Sequence, residues 1–270
     1  GYKTLDANTT ADYNTAIGHQ SLGANTTGEK NTATGAEALK ANTTGSNNIG
    51  MGYDALVANT TGTRNIAIGN GALDAPDTEN DNIAIGYDAL GGSIAGGEFN
   101  VAIGNYSLDA NTSGDRNTAI GYAALGANTT GSSNVAIGSE SLDANAGGEQ
   151  NVAVGFYTLT SNTGGISNTA LGSYAGYATT ANYNTAVGHQ SLYLNSNGSS
   201  NTAIGRQALK SNSSASDNTA VGEDAGDVIT TGSNNVIIGS GADPSANNAA
   251  NQIVIGQGAT GHGDNIAVIG

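Results

Sequence analysis

NTAIGHQSLGANTTG, residues 14 to 28, is followed from residue 31 by NTATGAEALKANTTG, and variants of the same phrase fill the chain. Anchored on the glycine that closes N-x-A-I/V-G, the repeats fall at Gly18, Gly35, Gly52, Gly69 and Gly86, a spacing of seventeen residues. The spacing departs from this at Gly104, Gly188 and Gly270, by plus one, minus one and minus three. A strict period this short belongs to solenoids, in which one unit cannot bury its own apolar face without a neighbour.

The repeat is too short for a helical pair, and its Gly, Asn and Thr content opposes helix. TAIG places β-branched residues at alternating positions, as a strand does. A second short strand is expected through the segment that carries Leu22, Leu39, Leu56, Leu73 and Leu90, four residues past each glycine. NTTG reads as a turn, because Asn and Gly tolerate left-handed backbone and Thr hydroxyls bond locally. The expected fold is an all-β parallel β-solenoid of about 17-residue coils. At roughly 4.8 Å per coil it would make a rod on the order of 75 Å long. The regular array is expected over 1–239, with modified coils over 240–270, and Gly1 already stands at a repeat position, as in a segment of a longer chain.

Both faces of the TAIG strand are apolar, which implies burial on both. Ile17 and Leu22 are assigned to the interior. The alternate position holds Ala16, Ala67, Ala84, Ala102, Ala119, Ala136 and Ala153, enlarging to Ile237 and Val254. This face is assigned to contact with another copy of the chain. The motif-opening asparagines Asn14, Asn31, Asn48, Asn65, Asn82, Asn100, Asn117, Asn134, Asn151 and Asn168 are expected to stack as an amide ladder.

A net charge of −15 opposes binding to nucleic acid or anionic membranes. The absence of cysteine removes disulfides and thiol chemistry together. No stretch is long and apolar enough for a membrane helix, so no membrane insertion is expected. Catalytic motifs are missing: GQGATG, residues 256–261, precedes no helix, and His19 and His189 lie ten coils apart. No catalytic residue, cofactor or enzymatic activity is therefore assigned. Asp77, Glu79 and Asp81 form a weak calcium candidate, alternating carboxylates in a loop interrupted by Pro76. Asn8, Asn25, Asn42, Asn59, Asn111 and Asn128 open N-x-S/T sequons and are candidate glycosylation sites. Tyr2, Tyr53, Tyr87 and Tyr122 follow the closing glycine, where exposed rings suit a sugar.

The phrase N-[ST]-[VA]-A-[IV]-G followed by x-x-[AS] resembles the head repeats of trimeric autotransporter adhesins. The longer NTAIGYxALxxNTTG is similar to repeats of phage tail-fibre and bacterial surface-fibre proteins. The resemblance implies a left-handed type of β-roll wound side by side in a homotrimer, outside the cell, on a virion or a bacterial surface. It implies a shaft used for attachment. The alternatives are an adhesin whose repeat surface binds a cell-surface glycan, receptor or matrix, and, more remotely, an ice-binding solenoid built on the Thr ladder.

Overall fold

The computed structural model describes residues 1–75, 78–92 and 97–270. Contacts divide the chain into two compact units, Gly1–Asn134 and Val135–Gly270. The coils past residue 239 thus belong to the second unit. Each unit is a stretch of parallel β-solenoid, and no helix occurs among the described residues.

The first unit carries seven three-residue strands: β1 Thr15–Ile17, β2 Thr32–Thr34, β3 Ile49–Met51, β4 Ile66–Ile68, β5 Ile83–Ile85, β6 Val101–Ile103 and β7 Thr118–Ile120. The second carries nine: β8 Val135–Ile137, β9 Val152–Val154, β10 Thr169–Leu171, β11 Thr185–Val187, β12 Thr202–Ile204, β13 Thr219–Val221, β14 Val236–Ile238, β15 Ile253–Ile255 and β16 Ala267–Ile269. Within each unit consecutive strands pair in parallel without slippage, so that Ala16 pairs with Ala33 and Ala67 with Ala84. Register is preserved even where a coil gains or loses a residue, as Ala84 with Ala102 and Ala170 with Ala186 demonstrate. The deletion falls in the turn segment between β10 and β11.

The two faces of the strand are the reverse of the sequence assignment. Ala67, Ala84, Ala102, Ala119, Ala136 and Ala153 are fully buried within the single chain, as are Ile237 and Val254. Their flanking neighbours point outward: Ile17 is 61% exposed and Ile204 41%. Ala16, in the first strand, is partly exposed. The reason is the width of the coil. A methyl built on Gly50, which holds the alanine position in β3, would lie 3.1 Å from the Ala55 carbonyl and 3.3 Å from Leu39 Cγ. A single methyl is therefore all the interior accepts where the leucine is present.

Leucine and strand centre share one volume. Leu22, Leu39, Leu56, Leu73 and Leu90 are fully buried, opposite alanine or glycine strand centres. The leucine position becomes Gly226 and then Asp243, and the strand centres that follow enlarge to Ile237 and Val254. A Cβ on Gly226 would meet Ile229 Cδ1 at 3.3 Å, so Ile229 also fills the vacated space, fully buried.

The segment expected to be a second strand is a turn. Gln20 and Leu22 have φ of 55° and 49°, and Glu37 and Leu39 repeat the pattern at 64° and 52°. Left-handed backbone costs a non-glycine residue roughly 1–2 kcal/mol, which burial of a leucine at roughly 1.5–3 kcal/mol offsets. Pairing between coils survives the change of conformation: the Leu22 N–H donates to the Ala38 carbonyl at 3.1 Å and the Leu39 N–H to Ala55 at 3.0 Å. Sequence alternation marks apolar side, not φ, so the turn was invisible to it.

The closing glycine bends the strand out of its plane. Gly35 has a φ of 139°, and a Cβ there would sit 2.2 Å from the Gly52 carbonyl oxygen of the next coil. No side chain fits, which is why this position never varies from glycine along the repeat.

Candidate functional surfaces

The motif-opening asparagines bond coil to coil. Asn14 Oδ1 accepts the Asn31 backbone N–H at 2.9 Å, while Asn31 Nδ2 donates to the Gly45 carbonyl at 2.8 Å. The same pair of bonds recurs at Asn48, Asn65, Asn82, Asn100 and Asn117 in the first unit. The Asn134 N–H donates likewise to Asn117 Oδ1 at 3.0 Å. In the second unit Asn151 and Asn168 begin the series, which runs through Asn235 to Gln252. Gln252 closes it by bonding both ways to Ser245. Buried amides are tolerated here because both ends of each are engaged.

A second amide ladder occupies the sequon asparagines. Asn42 Nδ2 donates to Asn25 Oδ1 at 2.8 Å and to the Gly45 carbonyl at 2.9 Å, and Asn59 repeats the arrangement onto Asn42. Asn25, Asn42, Asn59, Asn111 and Asn128 are fully buried. A glycan needs that nitrogen in solvent, so these five positions do not suit glycosylation of the folded chain. Asn8 alone of the six candidates is exposed. The sequon pattern matches because Thr is also required next to Asn for the turn: Thr26 Oγ1 donates to the Thr43 carbonyl at 3.0 Å, and Thr43 to Thr60 at 3.1 Å.

The calcium candidate does not assemble. Asp81 receives Arg64 Nε and Nη2 at 2.6 and 2.7 Å, a bidentate pair that occupies its carboxylate. Glu79 is buried and accepts the Thr78 N–H at 3.0 Å. Asp77 lies outside the described residues. No group of three metal-ligating side chains occurs among the described residues.

Carboxylates do gather elsewhere, on the turn that follows the glycine. Asp74 and Asp109 in the first unit and Asp143, Asp227 and Asp243 in the second all titrate above the usual range, chiefly because they are partly buried. Neighbouring carboxylates add to the effect, Asp88 on Asp74 and Asp227 on Asp243. Asp243 is pushed up to about 6, and its Oδ1 and that of Asp224 are buried without a hydrogen-bond partner. Arg206 bonds to Glu223 and, at 3.0 Å, to Asp224 Oδ2, which leaves Asp227 and Asp243 uncompensated by it. Aligning the repeats on glycine and reading down the second, fourth and fifth positions after it would have revealed this group.

The tyrosines after the glycine are exposed, and Tyr87, Tyr106 and Tyr122 touch edge to face at 5.4 and 6.0 Å. His19 stacks on Tyr2 at 5.6 Å, a ring contact in place of any metal role. The second unit holds a larger network that the sequence reading passed over. Phe156, Tyr157, Tyr174, Tyr177, His189 and Tyr193 form one connected set of rings. In the first unit two shallow hollows of about 240 and 390 Å³ adjoin Lys40 and Ala24. The larger is lined otherwise by Ala41, Val57 and Ala58 and offers no group for acid–base chemistry.

What the geometry defines is a class: a single-chain stack of parallel coils held by two buried amide ladders, with one apolar strand face left outside. No protein-family model matches the chain, and a search of curated proteins found no relative.

Proposed function

We propose that the chain is a structural, non-enzymatic shaft segment of an extracellular fibre used for attachment, in which copies of the chain associate side by side as a homotrimer. The observation that carries this reading is the outward strand face. Within each unit the residues flanking the strand centres form two in-register columns of Ile, Val, Leu and Thr, broken by Met51 in the first and by Ala267 in the second. Members such as Ile68, Ile137, Leu171 and Ile238 are exposed in the single chain. Contiguous apolar surface of this kind on a monomer marks an interaction site. Its flatness and repetition suit a second copy of the same face. The interface expected of the alanines is thus transferred to their neighbours.

A fibre also needs stiffness along its length, and the coil-to-coil bonding of backbone and asparagine supports that role. Sedimentation equilibrium tests the assembly: three times the chain mass of 26.5 kDa is expected. A stable monomer at micromolar concentration would overturn the trimer. Ile68→Lys with Ile103→Lys, both outward, is expected to release monomers that keep the β spectrum.

A further inference from the structure

From Gly155 to Gly205 the turn surface changes character. Residues 150–205 contain no Asp, Glu, Lys or Arg, in a chain whose net charge is −15. Six of the thirteen Phe and Tyr residues fall in this window, and five of them, Phe156, Tyr157, Tyr174, Tyr177 and Tyr193, join into one cluster with His189. In most other coils the positions of the four tyrosines hold Gln, Glu, Asp, Lys or Gly. Leu159 and Leu192 are buried as elsewhere, and in the coil between them, where Gly176 holds the leucine position, Leu159 and the fully buried Thr179 flank the glycine.

The rings are layered but slid past one another. Tyr157 and Tyr174 are parallel within 4° with centroids 5.7 Å apart, and Tyr177 and Tyr193 within 16° at 5.1 Å. Faces in full contact would lie about 3.5–4 Å apart, so part of each face stays outside its stack. Phe156 and His189 are exposed, and the four tyrosines are half-buried. Around them stand the neutral Ser173, Gln190 and Gln207, whose Nε2 donates to Gln190 Oε1 at 2.8 Å. Charge is confined to the margins: the Tyr157 hydroxyl donates to Glu140, and Arg206 donates to Gln207 Oε1 at 2.9 Å.

We infer that this aromatic surface, Phe156 to Tyr193, is a binding site for an extended neutral saccharide. Aromatic faces take the C–H face of a pyranose ring, and phenol and amide groups bond its hydroxyls. The rings recur once per coil, a spacing close to the length of one sugar unit, so successive units of one chain meet successive coils. The cation at its edge, Arg206, is held by Glu223 and Asp224, so the surface offers no basic track of the kind that a sulfated or phosphorylated ligand or single-stranded nucleic acid needs. The inference is independent of the shaft assignment, since it uses the turn surface and not the outward strand face.

The test is titration of the full chain with cellohexaose and mannohexaose, with a heparin hexasaccharide as the charged comparison. Tyrosine emission is the readout, undisturbed because the chain has no Trp. Saturable binding of a neutral hexasaccharide is expected, with weaker or no binding of heparin. Tyr174→Ser with Tyr177→Ser should weaken it about tenfold or more, while Tyr13→Ser with Phe99→Ser, exposed rings outside the cluster, should leave it unchanged. If the first pair impairs folding, Phe156→Ser and His189→Ala, both at exposed rings, carry the same comparison. Absence of neutral saccharide binding, equal binding by the ring variants, or preference for heparin would overturn the proposal. A monomeric chain that still binds would leave it standing while removing the trimer.

Discussion

Leu39 lies against Gly50: a methyl group added to that glycine would come 3.3 Å from Leu39 Cγ and 3.5 Å from Cδ1. Leucine and strand centre are therefore complementary partners inside the coil, and their combined volume is limited. Gly50→Ala restores what most other coils carry and, with less chain entropy to lose, is expected to raise stability by about 0.5–1 kcal/mol. Ala67→Leu overfills the same space and should cost about 1–3 kcal/mol. Urea denaturation of the two variants checks both signs. Ala119→Lys should unfold its unit, whereas a soluble folded monomer would place that residue outside after all.

The closing glycine tolerates less. Gly35→Ala puts a Cβ into the Gly52 carbonyl and also asks alanine to adopt a φ of 139°. Backbone strain of about 1–3 kcal/mol adds to the steric clash. Loss of cooperative thermal unfolding by circular dichroism is expected. A melting temperature within two degrees of the parent would show that the coil can part locally.

Asn48 accepts the Asn65 N–H at 2.9 Å and donates to the Gly62 carbonyl at 2.8 Å. Asn48→Ala leaves the buried Asn65 N–H unpaired, at about 1–3 kcal/mol, while the Gly62 carbonyl keeps only the 3.2 Å bond from Asn59. Asn48→Asp retains the acceptor but loses the donor and buries a charge, so it should be no better than alanine at neutral pH. Hydrogen exchange at Asn65 is the local readout; unchanged protection of that amide would contradict the ladder's role.

Stability should increase on mild acidification. The Asp243 carboxyl is raised to about 6 in the folded chain, and Asp74, Asp109, Asp143 and Asp227 are raised as well. A folded-state pKa above the unfolded value means that the native state holds protons more tightly. Its contribution is full below the unfolded pKa near 3.8 and disappears as pH climbs through the folded value. Thermal midpoints measured from pH 7.5 to pH 4.5 should therefore rise, and Asp243→Asn should flatten part of the increase. A steady fall over that interval would refute the assignment.

The left-handed turn positions offer a gentler probe. Ser133, with φ of 61°, precedes a ladder asparagine, as do Asn47 and Asn234 in their coils. Ser133→Asn should be neutral or stabilising by up to about 1 kcal/mol, because asparagine adopts this backbone more readily. Chemical denaturation decides it, and a loss of stability would mean that the serine hydroxyl matters more than the backbone preference.

The seventeen-residue period, the parallel stacking, the strand at TAIG and the asparagine ladder were legible in the residues themselves, because each repeats at one phase. The second strand was misjudged since leucine burial looks the same in a strand and in a left-handed turn. The sequons misled because a buried Asn–Thr turn and an exposed glycan acceptor share one pattern. The decisive ambiguity lay in Ala67 and Ile68. Period-two alternation says that they point opposite ways, but both are apolar and neither declares itself inside. Only the coil's width, taken up by Leu56 and the backbone around it, put the alanine in and left the isoleucine out. The aromatic surface from Phe156 to Tyr193 likewise became a surface only when stacking brought residues sixteen or seventeen apart into contact.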